Sequence, residues 1–167
     1  DLLKVGNKVF VRGARDNFNG LRQIGNVDLV LLISKDNALP TATLVRDITK
    51  EEELLKLQGQ LINLMNMTVK SKPETIGTAG YNVVIVDMAG NEITLRVDSE
   101  KVLGKAVRDA INNSVNGFAI HERININAGV LGWFNGAQVM ITEAGQLVKP
   151  VLLDDFKASE ALKHAKL

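Results

Sequence analysis

A chain of 167 residues with 46% hydrophobic and 23% charged side chains has the balance of one ordinary globular domain or two small ones. Its 20 basic residues are nearly matched by 19 acidic ones, which counts against gripping duplex nucleic acid, where phosphate neutralisation supplies much of the affinity. The absence of cysteine excludes disulfides, thiolate metal sites and Cys nucleophiles.

The first element is a strand over residues 4–12, where Val9 and Val11 alternate with Lys8, Phe10 and Arg12 at the period of an extended chain. Phe18-Asn19-Gly20 supplies a tight turn, because Asn and Gly tolerate positive φ. A second strand follows from Leu21 to Ile24, then a β-rich run over Val27–Ser34, and Thr41–Val45 is a short extended edge after Leu39-Pro40. Thr49 and Glu52 have the spacing of a capping box and open a short helix that Gly59 interrupts. From Gln60 to Lys70 the alternation of Leu61, Met65, Met67 and Val69 predicts a long curved strand. The competing reading is a helix over Glu51–Met67, since Leu54, Leu57, Leu61 and Leu64 also fit a helical stripe.

Ser71–Gly80 is a polar loop, and Tyr81–Met88 alternates, as do Ile93, Leu95 and Val97, with Ala89-Gly90-Asn91 as a hairpin connection. Ser99–Ile111 is a helix with Asp98 or Ser99 as its cap. Its buried face is drawn from two adjacent rows, Val102/Ala106/Ala110 and Leu103/Val107/Ile111. Phe118–Ala128 returns to alternation through Ile120, Ile124 and Ile126. Asn135-Gly136 turns the chain into a last strand over Ala137–Ile141. Pro150 marks a boundary, and Leu152–Lys166 is a C-terminal helix with Leu153, Phe156, Leu162 and Leu167 available for docking.

Strand, strand, strand, helix, strand, strand between Leu57 and Val148 is the order of the five-stranded OB barrel, and it favours the strand over Gln60–Lys70. The expected fold is therefore mainly β with minor α. A partial β-subdomain covers residues 1–47, the barrel residues 48–148 and a C-terminal helix residues 149–167. By charge, residues 48–148 carry nine basic and eleven acidic side chains, so the barrel is slightly acidic.

Val5-Gly6-Asn7-Lys8-Val9-Phe10-Val11-Arg12-Gly13, followed by Phe18-Asn19-Gly20-Leu21-Arg22-Gln23-Ile24 and later Leu39-Pro40, resembles the closing strands of OB modules in bacterial exported proteins. Among them are the modules attached to extracellular nucleases of the YhcR type. Asn7 stands where that pattern carries Asp. Arg123–Ala128 and Phe134-Asn135-Gly136-Ala137-Gln138 echo the same half, with one extra residue in the turn. The resemblance implies a secreted or cell-envelope bacterial protein, tandem OB modules, and single-stranded nucleic acid or an oligosaccharide as ligand. It also implies that the first three strands of an N-terminal barrel lie upstream of Asp1, are missing or do not exist. The plainer alternative is a small β-subdomain packed on the barrel. Asp1 is not an initiator Met, which suggests a processed, trimmed or partial N-terminus.

No residue pattern supports catalysis, and neither cofactor nor metal is expected. His121 and His164 are the only histidines. His121 adjoins Glu122 in a predicted strand, so the two point to opposite faces. Asp154-Asp155 reads as a helix start rather than a cation site. Ala128–Gly132 lacks both the strand-to-helix setting and the Lys of a P-loop. Apolar runs such as Val27–Ile33 are too short to span a bilayer. Binding is the remaining class. Tyr81 and Arg96 are the candidate contacts on the second and third barrel strands, and Trp133 and Phe134 in the loop between strands four and five. Against that stands the reading in which Trp133 or Phe134 plugs the barrel end. The expected function is a noncatalytic interaction module with a protein partner, the alternative being single-stranded nucleic-acid binding as accessory to a nuclease.

Overall fold

The computed structural model describes residues 2–150; the predicted helix over Leu152–Lys166 and the Asp154-Asp155 pair lie outside the described residues. Strand β1 (Lys8–Phe18) and strand β2 (Leu21–Ser34) form a two-stranded antiparallel ribbon. After it come β3 (Thr43–Leu44), α1 (Glu51–Lys56), β4 (Leu61–Val69), β5 (Glu74–Thr75), β6 (Gly80–Val86) and β7 (Glu92–Asp98). Helices α2 (Glu100–Leu103) and α3 (Lys105–Ser114) then lead to β8 (Arg123–Trp133), β9 (Ala137–Ile141) and β10 (Leu147–Val148).

Strands β4, β6, β7, β9 and β8 follow one another around a closed barrel, β8 returning to pair with β4. Every ladder within the barrel is antiparallel except β7–β9, and β3 adds to β4 in parallel from outside it. With the helices between the third and fourth barrel strands, this is the OB-type arrangement expected from the element order. The chain is mainly β with minor α, one closed five-stranded barrel and additional strands.

The alternation read in β6 and β7 is what fills the barrel. Tyr81↔Val97, Val83↔Leu95 and Ile85↔Ile93 are cross-strand partners, so each pair lies on the same face, and all six are buried. Val139 and Ile141 continue the layers opposite Leu95 and Val97.

In β4 the period breaks. Ile62, Leu64, Met67 and Val69 are buried, whereas Met65 is exposed and Leu61 only partly covered. The predicted inward set of Leu61, Met65, Met67 and Val69 is thus corrected in its first half. The cause is an irregularity at Asn66, which adopts φ 55° and moves the inward face by one residue. Its partner strand does the same at Ala128, φ 53°. Each irregularity is held by an asparagine from the facing strand: Asn66 N–H donates to Asn125 Oδ1 and Ala128 N–H to Asn63 Oδ1, both at 2.8 Å.

Helical predictions also need revision. The capping box at Thr49 does not form, because the Thr49 hydroxyl donates instead to Asp47 Oδ1 at 2.6 Å; Lys50 occupies the cap position of α1. The helix over Ser99–Ile111 is split at Gly104, whose φ of 83° is incompatible with helix continuation. Only the row Leu103/Val107/Ile111 meets the core, with Ile111 fully buried and Val107 partly so. Val102, Ala106 and Ala110 face away from it. Ile120 and His121, expected in a strand, lie in the turn before β8, where His121 adopts φ 71°.

Candidate functional site

The ribbon meets the barrel at its tip, and this junction forms a cleft of about 620 Å³. The local sequence explains the contact. Asn19 and Gly20 form a two-residue loop at φ 50° and 91°, the positive-φ geometry favoured between twisted strands. Gly20 then abuts the Cδ1–Nε1 edge of the Trp133 indole: a Cβ on Gly20 would fall 2.5 Å from Trp133 Cδ1. Gln58, in the turn before β4, fastens the same loop twice. Its Nε2 donates to Gly20 O at 3.0 Å and its Oε1 accepts from Arg22 N–H at 2.9 Å. Asn135 N–H donates to Asn19 O at 2.8 Å, so the two Phe-Asn-Gly turns touch tip to tip. Phe18 and Phe134 stand beside this bond with ring centroids 6.0 Å apart, both more than half exposed (56% and 55%).

The cleft opens between that junction, the start of α1 and the outer side of β6 and β7. Its charged lining is Glu51 and Glu92, with no Lys or Arg, and Asn19, Thr49, Thr94 and Asn135 supply neutral donors and acceptors. Lys70 pairs with Glu92 from outside the lining, while Glu51 has no ion-pair partner among the described residues. The floor is apolar, made by Leu54, Ile93 and Trp133. A cleft whose charged lining is acidic and whose floor is apolar, next to turns that expose two aromatic rings, disfavours polyanions and suits a cationic, partly apolar segment.

The four candidate residues separate. Trp133 and Phe134 are both at the junction, but Trp133 is 6% exposed and forms the floor, leaving Phe134 as the ring available at the surface. Phe18, which sequence reasoning treated only as a turn residue, is its companion.

Tyr81 is 4% exposed and turned inward at the opposite barrel end. Its hydroxyl donates to Asn112 Oδ1, Phe118 meets its ring edge-on at 5.9 Å, and Arg108 lies 5.2 Å above it. Burial pushes its phenol up to about 12, with the Arg108 charge acting in the opposite direction. No face of Tyr81 is presented to a ligand. Arg96 is committed to structure as well: Nε donates to Asp98, Nη1 to Asn82 and Nη2 to the carbonyl of Ala79. It thereby ties the loop before β6 to the barrel wall.

No group of three or more His, Asp or Glu side chains capable of holding a metal occurs among the described residues, and no helix there is long and apolar enough to cross a membrane. No family model, curated protein or solved structure matches the chain.

Proposed function

We propose that this chain is a noncatalytic binding module that engages a protein partner at the cleft between the ribbon tip and the barrel. The observation that carries the reading is the cleft's lining, which holds the carboxylates of Glu51 and of Glu92 (the latter paired with Lys70) and no Lys or Arg over an apolar floor, with the exposed Phe18–Phe134 pair on the adjoining turns. Carboxylates in a concave, partly apolar wall favour Lys or Arg side chains, and exposed aromatic rings add both apolar area and cation–π attraction. The partner is accordingly a basic polypeptide segment with apolar residues.

A second reading, single-stranded nucleic acid, draws on the OB-type topology and on the resemblance to modules of exported nucleases. Topology is a weak guide to ligand, and this one offers no unengaged arginine or stacking ring on β6–β7. An exported, cell-envelope setting belongs to the same resemblance and is proposed on that basis alone.

Fluorescence anisotropy separates the readings. A labelled peptide alternating Lys or Arg with aromatic residues is expected to bind saturably and to lose affinity in Glu51→Lys and Phe134→Ser. Labelled single-stranded oligonucleotides are expected not to saturate at tens of micromolar protein even at low salt, a range that captures ordinary nonspecific binding at about 10⁻⁴–10⁻⁶ M. Saturable oligonucleotide binding that weakens with salt and persists in Glu51→Lys would replace the first reading with the second.

A further inference from the structure

In the half of the β1–β2 ribbon away from its tip, apolar side chains stand on both faces, and among the described residues both outer edges are bare. Val9↔Leu32 and Val11↔Val30 place four aliphatic side chains on one face; Phe10↔Leu31 lies on the other. Phe10, Leu31 and Ile33 are 49%, 47% and 57% exposed, and no third strand pairs with either outer edge among the described residues. Its polar anchoring is confined to the tip. A two-stranded ribbon of this kind is marginal in water by itself, and its edges invite pairing.

The same chain contains a covered counterpart. The β8–β9 hairpin also turns on Phe-Asn-Gly, with Asn135 at φ 54° matching Asn19 at φ 50°. The irregular position of its first strand, Ala128, aligns with Gly13, where the β1–β2 ladder shifts register. In that hairpin the outer edge of β8 takes β4 antiparallel and the outer edge of β9 takes β7 parallel. The resulting closure buries Ile124, Ile126, Leu131, Val139 and Ile141.

We propose that β1 and β2 are the fourth and fifth strands of a second OB-type barrel, and that a three-stranded meander completes it. One strand of the meander runs antiparallel to β1 and one parallel to β2. Strand order identifies its source: β4, β6 and β7 precede β8 in the chain, so the covering strands lie N-terminal to Lys8 in the natural polypeptide. They fall within about as many residues as separate Leu61 from Arg123. The alternation they need is that of β6 and β7, apolar at every second position. This inference is independent of what the cleft binds.

Hydrogen–deuterium exchange with mass spectrometry tests it by comparing the 167-residue chain with the natural polypeptide extended through the residues that precede it. Peptides covering residues 8–34 are expected to exchange rapidly in the shorter chain. They should slow by about a hundredfold or more in the extended one, as a monomer, with β4–β9 protected in both. Leu32→Asp, on the Val9/Val11 face that aligns with Ile124 and Ile126, is expected to leave the melt of the shorter chain's barrel unchanged and to restore rapid exchange of 8–34 in the extended chain. Equal exchange of 8–34 in the two polypeptides would overturn the proposal. So would a dimer of the 167-residue chain that already protects 8–34, since it would assign the ribbon's apolar faces to a second copy.

Discussion

Replacing Gly20 with alanine strikes the contact that makes the cleft. The new Cβ would lie 2.5 Å from Trp133 Cδ1 and 2.6 Å from Nε1, at a backbone φ of 91°. An L-residue in left-handed conformation costs about 1–2 kcal/mol, and overpacking against a buried ring about 1–3 kcal/mol. Opposing that strain are three hydrogen bonds from Gln58 and Asn135, each worth about 0.5–1.5 kcal/mol net. The two sums are comparable, so the alanine variant should release the ribbon tip while the barrel stays folded. Trp133 is the only tryptophan in the chain, so its fluorescence reports this position without interference from a second indole. Gly20→Ala is expected to shift its emission to the red and to increase acrylamide quenching. The far-ultraviolet melt should move by less than the roughly 4–8 °C that 1 kcal/mol of global destabilisation produces in a domain of this size. Emission and quenching identical to the parent chain would refute the seating of Gly20 on Trp133.

Three further outcomes test other parts of the account. Ile111→Ala removes the fully buried anchor of α3 and should lower stability by about 2–5 kcal/mol in urea melts, whereas Val102→Ala, on the exposed row, should change it by less than about 0.5 kcal/mol. Gln146→Leu unpairs the Thr142 amide and the Ala128 carbonyl that Gln146 now satisfies at 2.7 Å each, for a cost of about 1–3 kcal/mol per buried group left unpaired. Tyr81 is the only tyrosine, so absorbance titration reads it directly. Its folded phenol stays protonated to about 12 against 10.0 for the free group. The unfolded chain therefore loses its proton first, and the Tyr81 contribution to stability should be constant below about pH 10 and decline as pH rises from 10 toward 12. An ionisation midpoint at 10 in the folded protein would contradict the burial of that ring.

Much of the barrel was legible in the sequence because β6 and β7 obey simple alternation, and their paired residues all face inward. The strand at β4 was legible as a strand but not in its register. Asn66 abandons the period only because Asn125 reaches across from a strand about 60 residues away, a contact no local pattern announces. The split of the α2–α3 helix had a visible signal in Gly104, overridden by the stronger apolar rows around it. For the site, the repeated Phe-Asn-Gly turns were plain at both positions, yet their meeting depends on the path between them. Gln58 carries no motif at all. Tyr81 and Arg96 were placed on the correct strands, but Tyr81 was given the wrong side. Its hydroxyl finds Asn112 and its ring Phe118 only once α3 and the turn after it close that barrel end.

The proposed binding takes place at the junction of ribbon tip and barrel. Amide chemical-shift mapping of the ¹⁵N-labelled chain, titrated with a peptide alternating Lys or Arg with aromatic residues, tests it most directly. Progressive, saturable shifts are expected at Asn19, Gly20, Thr49, Thr94 and Asn135, absent in Glu51→Lys. Shifts confined to the β6–β7 face near Arg96, or an unperturbed junction at saturating peptide, would contradict it.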